Sequence, residues 1–345
     1  MKMIDGSREN ADTKRWNEID VLYTLGTLLV VFGHSHSSDW NHLTGTILEN
    51  IIMFIYTFHM PLFFFIAGFL FYNSVSFKKD GFLIYIKNKA LRLLTPYAVL
   101  SVSAILPKYY IENGGFNGFS TYLVQAIFIP RVGVWGHFWF LPVLFLLYFI
   151  FGLWKIFVPD QKKYIGLTLA IISAIILYFL PNQTNWFGWN DLKDAMVFFV
   201  SGMILKQYMY NTKRISLDPY PLYIRFIGLI LGVVGAIILF VIYQDTNIAI
   251  LLCGIIMIFV CWQVASIIGV NKVCKWISKN NFTIYIYSWP FQTVMMVLAD
   301  RFNLSLQLTV LCMFIIGMVG PIMLILIYMN MKVKNYFFDL LLGVK

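Results

Sequence analysis

Two histidines lie inside otherwise apolar stretches of the sequence, His34 in "LLVVFGHS" and His59 in "IYTFHMPLFFF". An ionisable side chain at the centre of a bilayer costs at least about 2.5 to 3.5 kcal/mol, so its presence calls for a reason. A neutral imidazole can accept a proton at neutral pH or attack an electrophilic carbon as a nucleophile. The pattern is also compatible with hydrogen-bonded structural residues. A metal site is disfavoured, because no cluster of carboxylates or cysteines stands beside either histidine.

The elements that position these histidines are predicted from composition and hydropathy. Of the 345 residues, 60% are hydrophobic and 12% are charged, which is too little charge to cover a soluble domain of this size. Apolar runs of about 20 residues recur along the chain, and each can cross the roughly 30 Å hydrocarbon layer. The sequence therefore predicts an all-α polytopic membrane protein with about ten transmembrane helices. They cover residues 19–38, 49–74, 91–111, 138–157, 164–181, 191–209, 221–243, 247–268, 281–299 and 307–331.

The distribution of basic residues predicts the orientation, because cytoplasmic loops are enriched in lysine and arginine. One further apolar stretch, 119–130, is too short to span and is predicted to be re-entrant or interfacial. With both termini cytoplasmic, 22 of the 26 basic residues lie inside, and Lys108, Arg131, Lys193 and Arg301 lie outside. The predicted parts are a cytoplasmic tail (1–18), a membrane domain (19–331) and a second cytoplasmic tail (332–345). The net charge of +10 is scattered among loops, which disfavours nucleic acid as a partner.

The predicted hairpin of the first two helices brings the two histidines to one depth. At 1.5 Å per residue, His34 lies roughly 22 Å from the cytoplasmic end of its helix, and His59 lies about 15 Å from the outer end of the next. Since the two helices are antiparallel, both imidazoles can approach one buried cavity. His36 follows two residues later, about 200° around a helix, so we expect it to face away, toward the outer interface.

Five segments of the chain carry a resemblance to a known family. They are "IDVLYTLGTLLVVFGHS" (19–35), "YTFHMPLFFFIAGFLF" (56–71), "KNKALRLLTPY" (87–97), "HFWFLPVLF" (137–145) and "NFTIYIYSWP" (281–290). In this order they resemble the acyltransferase-3 family of integral membrane acyltransferases, and the second segment resembles its fucose 4-O-acetylase-like branch. The resemblance implies a multi-pass enzyme of the bacterial plasma (inner) membrane. Such an enzyme transfers an acyl group, usually acetyl, from cytoplasmic acyl-CoA to a hydroxyl of an outward-facing glycan.

Three departures from the family pattern concern its chemistry. The family usually has arginine or lysine eleven residues before the first histidine, where this chain has Tyr23. Its late histidine is Ser288 here, and the serine that opens the same motif is Asn281. Many members also carry a C-terminal hydrolase-like domain that completes the transfer outside the membrane. None follows here, so we expect the membrane domain itself, or a separate extracytoplasmic transferase, to acylate the acceptor.

The resemblance implies roles for three groups of residues. In the catalytic group, His34 acts as a general base toward the acceptor hydroxyl or carries the acyl group as an acyl-imidazole, and His59 lines the same site. The group expected to bind acetyl-CoA supplies cations for the CoA phosphates and comprises Lys87, Lys89, Arg92, Asp20 and Tyr23. The group expected to bind the glycan offers aromatic faces to sugar rings and comprises Trp135, His137 and Trp139.

Plainer interpretations remain open for each of these groups. Basic residues at this end of the helices obey the positive-inside rule, Asp20 can cap a helix start, and aromatic side chains form belts at membrane interfaces. The function indicated is O-acetylation of an extracytoplasmic polysaccharide or lipid-linked glycan of the cell envelope. The alternative is a non-enzymatic exporter or flippase of a glycan intermediate, which needs no CoA. An ion-coupled transporter is disfavoured, because none of the 16 acidic residues lies mid-helix.

Overall fold

A computed structural model gives the fold of this chain. It describes residues 16–36, 45–74, 79–132, 135–158, 162–211, 221–243, 246–331 and 335–343. The predicted N-terminal tail up to residue 15, the outer-loop residue His42, and the basic residues at 213–214 and 332–334 lie outside the described residues.

All regular secondary structure in the described residues is helical. Short 3-10 turns at Pro130–Val132, Gly136–Trp139 and Trp186–Gly188 precede or follow longer helices. The α-helices are α1 (Asn17–Gly33), α2 (Ile47–Tyr56), α3 (His59–Ser74), α4 (Lys79–Asn113), α5 (Phe119–Phe128), α6 (Phe140–Phe157), α7 (Lys163–Tyr178), α8 (Trp189–Asn211), α9 (Leu222–Tyr243), α10 (Asn247–Ile268), α11 (Lys272–Arg301), α12 (Leu306–Asn330) and α13 (Tyr336–Leu342).

Seven helical segments among the described residues are long and apolar enough to cross a membrane. Their outward faces remain apolar, as on α9, where Leu231 and Val241 are each 66% exposed. Monomeric soluble proteins rarely present apolar surface of this extent to water. The chain is therefore an all-α polytopic membrane protein, as predicted. Because α1 has 17 residues and α7 has 16, both fall just short of a full span by length. The 23-residue α8 is long enough but is not among the seven apolar segments, so the total of ten stays a prediction.

The chain forms two compact units, whose boundaries fall within α8 and α11. The first comprises Met1–Val75 and Gly202–Asn281, and the second comprises Ser76–Ser201 and Phe282–Lys345. Both histidines of interest belong to the first unit. The α4 cations and the aromatic group of residues 135–139 belong to the second.

Glycines let the helices of the first unit approach one another closely. A Cβ added at Gly26 of α1 would lie 2.9 Å from the Phe63 ring of α3. A Cβ added at Gly202 of α8 would lie only 2.1 Å from the backbone oxygen of Phe65. Trp262 of α10 is 1% exposed and packs edge-on against Phe65. These contacts fix α1 and α3, the helices that carry the two histidines.

In the second unit, α4 is longer than its apolar pattern predicts. The predicted span 91–111 is part of a helix of 35 residues, about 52 Å by helical rise, so the charged first turns extend beyond the hydrocarbon layer. The 10-residue α5 is about 15 Å long and cannot cross. It packs on the second half of α4, where Ala126 and Ile105 are buried together and the Tyr109 and Phe119 rings lie 5.3 Å apart.

Residues 336–342, assigned from the sequence to a cytoplasmic tail, form the short helix α13. The Asn335 side-chain oxygen accepts from the Phe337 backbone N–H at 2.9 Å and so caps the start of this helix. Leu341 and Leu342 are buried, and the helix packs on α4. A helix of seven residues is too short to reveal itself by hydrophobic periodicity, so the sequence pattern did not predict it.

Replacing Gly202 with alanine is expected to destabilise the protein. The new methyl group cannot fit 2.1 Å from a backbone oxygen, and a forced helix displacement costs at least about 2 kcal/mol. Gly235→Ala on α9 is the matched control, because nothing lies within 4 Å of its added Cβ. Thermal unfolding followed by size-exclusion chromatography compares the two variants. Equal midpoints for both would contradict the close packing of α8 on α3.

Candidate active site

The helix that carries His34 ends earlier than its apolar pattern predicts. α1 ends at Gly33 and not at residue 38, and His34 is its C-cap with φ −95° and ψ 4°. A glycine followed by a polar run disfavours helix continuation. The Ser35 hydroxyl donates to the Val31 carbonyl oxygen at 2.6 Å, which satisfies one of the last carbonyls. His34 therefore lies at the helix end and not within the helix, and it is half-buried.

The second predicted span is interrupted next to His59. Two residues separate α2 from α3, and His59 is the first residue of α3. Pro61 accounts for the break, since it has no N–H for the Thr57 carbonyl and its ring would clash with that group in a continuous helix. The Ile55 carbonyl oxygen accepts from the Phe58 backbone N–H at 3.1 Å and from the His59 Nδ1 at 2.9 Å.

The two helix ends bring both histidines together, as predicted. The ring centres of His34 and His59 lie 6.3 Å apart in an edge-to-face arrangement. The Tyr56 ring completes the group, 6.0 Å from His34 and 5.1 Å from His59. His59 is only 5% exposed. Three rings that can donate or accept protons therefore share one site at the end of α1.

His36 also joins this group, so the prediction that it faces away is wrong. Its side chain is 4% exposed, and its Nε2 lies 3.1 Å from the Tyr56 hydroxyl. The predicted rotation of 200° applies only inside a helix, and α1 has already ended at Gly33. The Tyr56 hydroxyl was missed by sequence reasoning, although it stands three residues before His59 in the same motif.

Hydrogen-bond partners define the protonation of two rings. A carbonyl oxygen only accepts, so His59 Nδ1 carries the proton donated to Ile55, and Nε2 is the basic nitrogen of the neutral ring. The Tyr56 hydroxyl donates its one proton to the Gly33 carbonyl oxygen at 2.8 Å. It therefore accepts from His36 Nε2–H. Across the residues that the structure describes, no cluster of three His, Cys, Asp or Glu side chains could hold a metal ion.

Asp20 and Tyr23, predicted for the donor site, both contact neighbouring helices. Asp20 is 4% exposed and accepts from the Ser278 hydroxyl at 2.7 Å, which ties α1 to the start of α11. The Tyr23 ring packs against the Phe63 ring of α3, with centres 6.1 Å apart. The carboxylate of Asp20 is thus part of helix packing in this structure.

A buried cation lies near the start of α1, the end of the helix that carries Asp20. Lys206 of α8 is 8% exposed, and its Nζ lies 4.1 Å from the centre of the Trp16 ring and 4.9 Å from that of Phe69. Trp16 precedes Tyr23 by seven residues, nearly two helical turns. A positive charge is therefore present near the start of α1, although the usual family position holds a tyrosine. From the sequence, this lysine was predicted only to contribute to the excess of basic residues on one side of the membrane.

In the second unit, the three predicted donor-site cations lie on α4 but do not share one face. Lys89 is half-buried, with its Nζ 3.9 Å from the centre of the Tyr148 ring. Arg92, one turn later, is exposed and lies 5.9 Å from the Phe282 ring. Lys87 is exposed and about 200° around the helix from Lys89. The structure thus groups Lys89 with Arg92 and separates Lys87 from both.

The three predicted glycan-binding side chains each contact protein. Trp135 Nε1 donates to a backbone carbonyl of α4 at 3.2 Å. The His137 ring packs against Trp289 with ring centres 5.8 Å apart. The Arg131 guanidinium lies 4.2 Å from the centre of the Trp139 ring. A sugar could stack only on the remaining faces of these rings.

One family profile covers most of the chain. The acyltransferase-3 profile, described as an acyltransferase domain, matches residues 16–328. The chain belongs to the acyltransferase-3 family. This protein is therefore a membrane acyltransferase, and the matched region contains the histidine group, the α4 cations and the aromatic group. Searches of curated proteins and of solved structures each found no match, so assignment to the fucose 4-O-acetylase-like branch stays a prediction.

In this acyltransferase, the late family histidine is replaced by a side chain with a structural contact. Ser288 is 2% exposed, and its hydroxyl donates to the Tyr285 carbonyl oxygen at 3.4 Å. α13 lies beyond the end of the matched region.

Replacing Tyr56 with phenylalanine is expected to lower the free energy of unfolding by about 1–3 kcal/mol, because the Gly33 carbonyl oxygen and His36 lose their half-buried hydrogen-bond partner. Tyr223→Phe on α9 is the matched control, since that side chain is 65% exposed. Thermal unfolding in one detergent measures both. An unchanged midpoint for Tyr56→Phe would show that this hydroxyl does not hold the site together.

Proposed function

We propose that this acyltransferase moves an acyl group, most simply acetyl, from cytoplasmic acyl-CoA to a hydroxyl of an extracytoplasmic polysaccharide or lipid-linked glycan. One observation carries the proposal: two imidazoles lie 6.3 Å apart at the end of the first helix of an acyltransferase-3 protein. Long apolar helices support placement in a membrane. We assign that membrane to the bacterial plasma (inner) membrane.

As a general base, His34 takes the proton of the acceptor hydroxyl while the oxygen bonds to the thioester carbonyl carbon. The C–S bond then breaks, and the proton passes from the imidazolium to the departing CoA sulfur. An imidazole in this role contributes about 10²–10⁴-fold to the rate. In the relay form, a His34 ring nitrogen bonds to the acyl carbon and CoA leaves as a thiolate. The acceptor oxygen then bonds to the acyl carbon and the bond from that carbon to the ring nitrogen breaks, while the hydroxyl proton passes to the CoA thiolate, which leaves neutral His34, the ester and CoA thiol.

His59 has a narrower choice of roles. Its Nδ1–H is donated to Ile55, so the neutral ring has no second N–H to offer the carbonyl oxygen of a thioester. Its Nε2 can accept a proton from the acceptor hydroxyl or from an N–H of His34. We therefore assign His59 to holding the attacking group in its reactive orientation.

Binding of the acyl-CoA donor and of the glycan acceptor is assigned to the remaining predicted residues. Arg92 and Lys89, one helical turn apart on α4, bind the CoA phosphates, and Arg92 offers two parallel N–H groups. Lys87 adds positive charge from the other side of α4. Trp135, His137 and Trp139 form the acceptor site. A separate extracytoplasmic transferase is the partner expected if the membrane domain passes the acyl group on.

Replacing His34 with alanine is expected to reduce acyl transfer at least about 100-fold, since both routes need its ring nitrogen. The measurement uses membranes, labelled acetyl-CoA and the glycan fraction of the host envelope. His42→Ala is the matched histidine control and is expected to retain activity. Transfer by His34→Ala within twofold of the unchanged protein would refute the assignment. An exporter without enzymatic activity would incorporate no label in any variant.

Replacing His59 with asparagine distinguishes the roles of its two ring nitrogens. The asparagine side-chain N–H can replace Nδ1–H toward Ile55, whereas the basic Nε2 is lost. We expect a normal unfolding midpoint and transfer reduced at least about tenfold, as for loss of an orienting group. Normal transfer by a folded His59→Asn protein would reduce His59 to a structural residue.

A further inference from the structure

A small cavity opens between the first half of α4 and the C-terminal helix α13, within the second unit. Its volume is about 170 Å³, below the roughly 300–1,000 Å³ of pockets that enclose a whole drug-sized ligand. It can therefore accept one end of a larger molecule. The cavity is lined by Asn88, Leu91, Arg92, Tyr336, Asp339, Leu340 and Gly343.

The wall formed by α13 is fixed by hydrogen bonds to its last turns. The Thr283 hydroxyl donates to the Leu342 carbonyl oxygen, and the Tyr287 hydroxyl donates to that of Leu341 at 3.4 Å. The Tyr328 hydroxyl donates to the Asp339 carboxylate at 2.6 Å. The two α11 side chains satisfy carbonyls that a helix end leaves unpaired, and Tyr328 of α12 binds a side-chain carboxylate of α13. The helix is thus held in place as a wall of the cavity.

The Phe282 ring of α11 lies next to two residues that line the cavity, Gly343 and Arg92. Gly343 has φ +64° and ends α13, and a Cβ added there would lie 2.3 Å from the Phe282 ring. The Arg92 guanidinium lies on the same ring at 5.9 Å. This distance is within the range of a cation–π contact, so the Phe282 ring helps to position the cation that lines the cavity.

The lining specifies a ligand with three features. The described residues give the Arg92 guanidinium no carboxylate partner, and it offers paired N–H groups that suit a phosphate. Asp339 accepts from Tyr328 through Oδ1, which leaves Oδ2 to accept a hydrogen bond from a ligand N–H. The Tyr336 ring, 54% exposed, provides a flat surface for a planar group. A simple phosphate ion lacks the second and third features.

We propose that this cavity binds the 3′-phosphoadenosine end of the acyl-CoA donor. Arg92 binds a phosphate, Tyr336 stacks on the adenine, and Asp339 accepts from the adenine amino group. The inference rests on the proposed function, because it takes CoA as the donor. An ethanolamine phospholipid headgroup also carries phosphate and an amino group, but it has no planar ring. The start of α4 and the C-terminal segment were both predicted to be cytoplasmic from their basic residues, and the structure packs them together.

The test measures binding of adenosine 3′,5′-bisphosphate to the full-length protein in phosphatidylcholine nanodiscs. We expect saturable binding that weakens at least about tenfold in Arg92→Gln, since a charge-assisted pair of hydrogen bonds is lost. Tyr336→Ala weakens binding, whereas Tyr336→Phe keeps the ring and restores it. Phe337→Ala is the matched control, because this neighbouring side chain is 45% exposed and does not line the cavity.

A second comparison tests the carboxylate. The unchanged protein is expected to prefer adenosine over inosine 3′,5′-bisphosphate, since the inosine base presents an oxygen in place of the amino group. Asp339→Asn should remove most of that preference, because an amide can donate to the oxygen. Equal affinities in the unchanged protein would overturn the assignment of Asp339 and with it the adenine site.

The outcomes separate this inference from the proposed function. Absent nucleotide binding, or binding unaffected by Arg92→Gln, overturns the cavity assignment even when acetyl transfer proceeds. Phosphatidylethanolamine that co-purifies with the unchanged protein and is lost in Arg92→Gln also overturns it, in favour of a lipid site. Nucleotide binding with the expected variant pattern, but no acetyl transfer, supports the cavity and contradicts the proposed function.

Discussion

Hydrocarbon offers no water to hydrogen-bond a backbone carbonyl, and this constraint shapes the site more than any other interaction. The break between α2 and α3 and the end of α1 both release carbonyls from helical bonding. The His59 ring satisfies Ile55, and the Tyr56 hydroxyl satisfies Gly33. The same bonds that complete the backbone therefore also orient the two rings. They leave the basic nitrogen of His59 free of the backbone, in a group that includes His34.

The side chains of this site also stabilise the local backbone, because His59 and Tyr56 donate hydrogen bonds to backbone carbonyls. Pro61 breaks the helix, and His59, two residues earlier, places a second donor on the Ile55 carbonyl oxygen, which also accepts from the Phe58 backbone N–H. Tyr56 of α2 bonds Gly33 at the end of α1 and His36 just beyond it, so one hydroxyl joins α2 to the segment in which α1 ends. Catalytic assignments for this group are consequently best tested with substitutions that keep the backbone bond and remove only the proton-accepting nitrogen.

The proximity of the two histidines could be predicted from the sequence, because helical rise and antiparallel order are enough to place them at one level. The fold class could also be predicted, because apolar runs of about 20 residues indicate helices that span a membrane. The end of α1 could not be placed, since an apolar run continues to Phe32 and the local effect of Gly33 depends on a hydroxyl bond from Ser35. The error for His36 followed directly, because its predicted direction assumed an unbroken helix.

The cations of α4 show a different limit of prediction from the sequence. Charge asymmetry predicted that the start of α4 and the C-terminal segment share one side of the membrane. It carried no information on partners, so neither the Tyr148 ring beneath Lys89 nor α13 beside Arg92 could be predicted. Lys206 likewise contributed only to the predicted charge asymmetry, whereas it lies buried against Trp16.

The protonation of the His59 ring is the most direct test of how this site works. Nitrogen NMR of the protein labelled at its histidine rings, with the His59 signals assigned by their loss in a substituted protein, reports which nitrogen carries the proton. A neutral ring protonated at Nδ1 is the expected result, with Nε2 as the acceptor. A ring protonated at Nε2 would contradict it, because the Ile55 carbonyl would then lack this donor and the basic nitrogen of His59, Nδ1, would lie against that carbonyl oxygen.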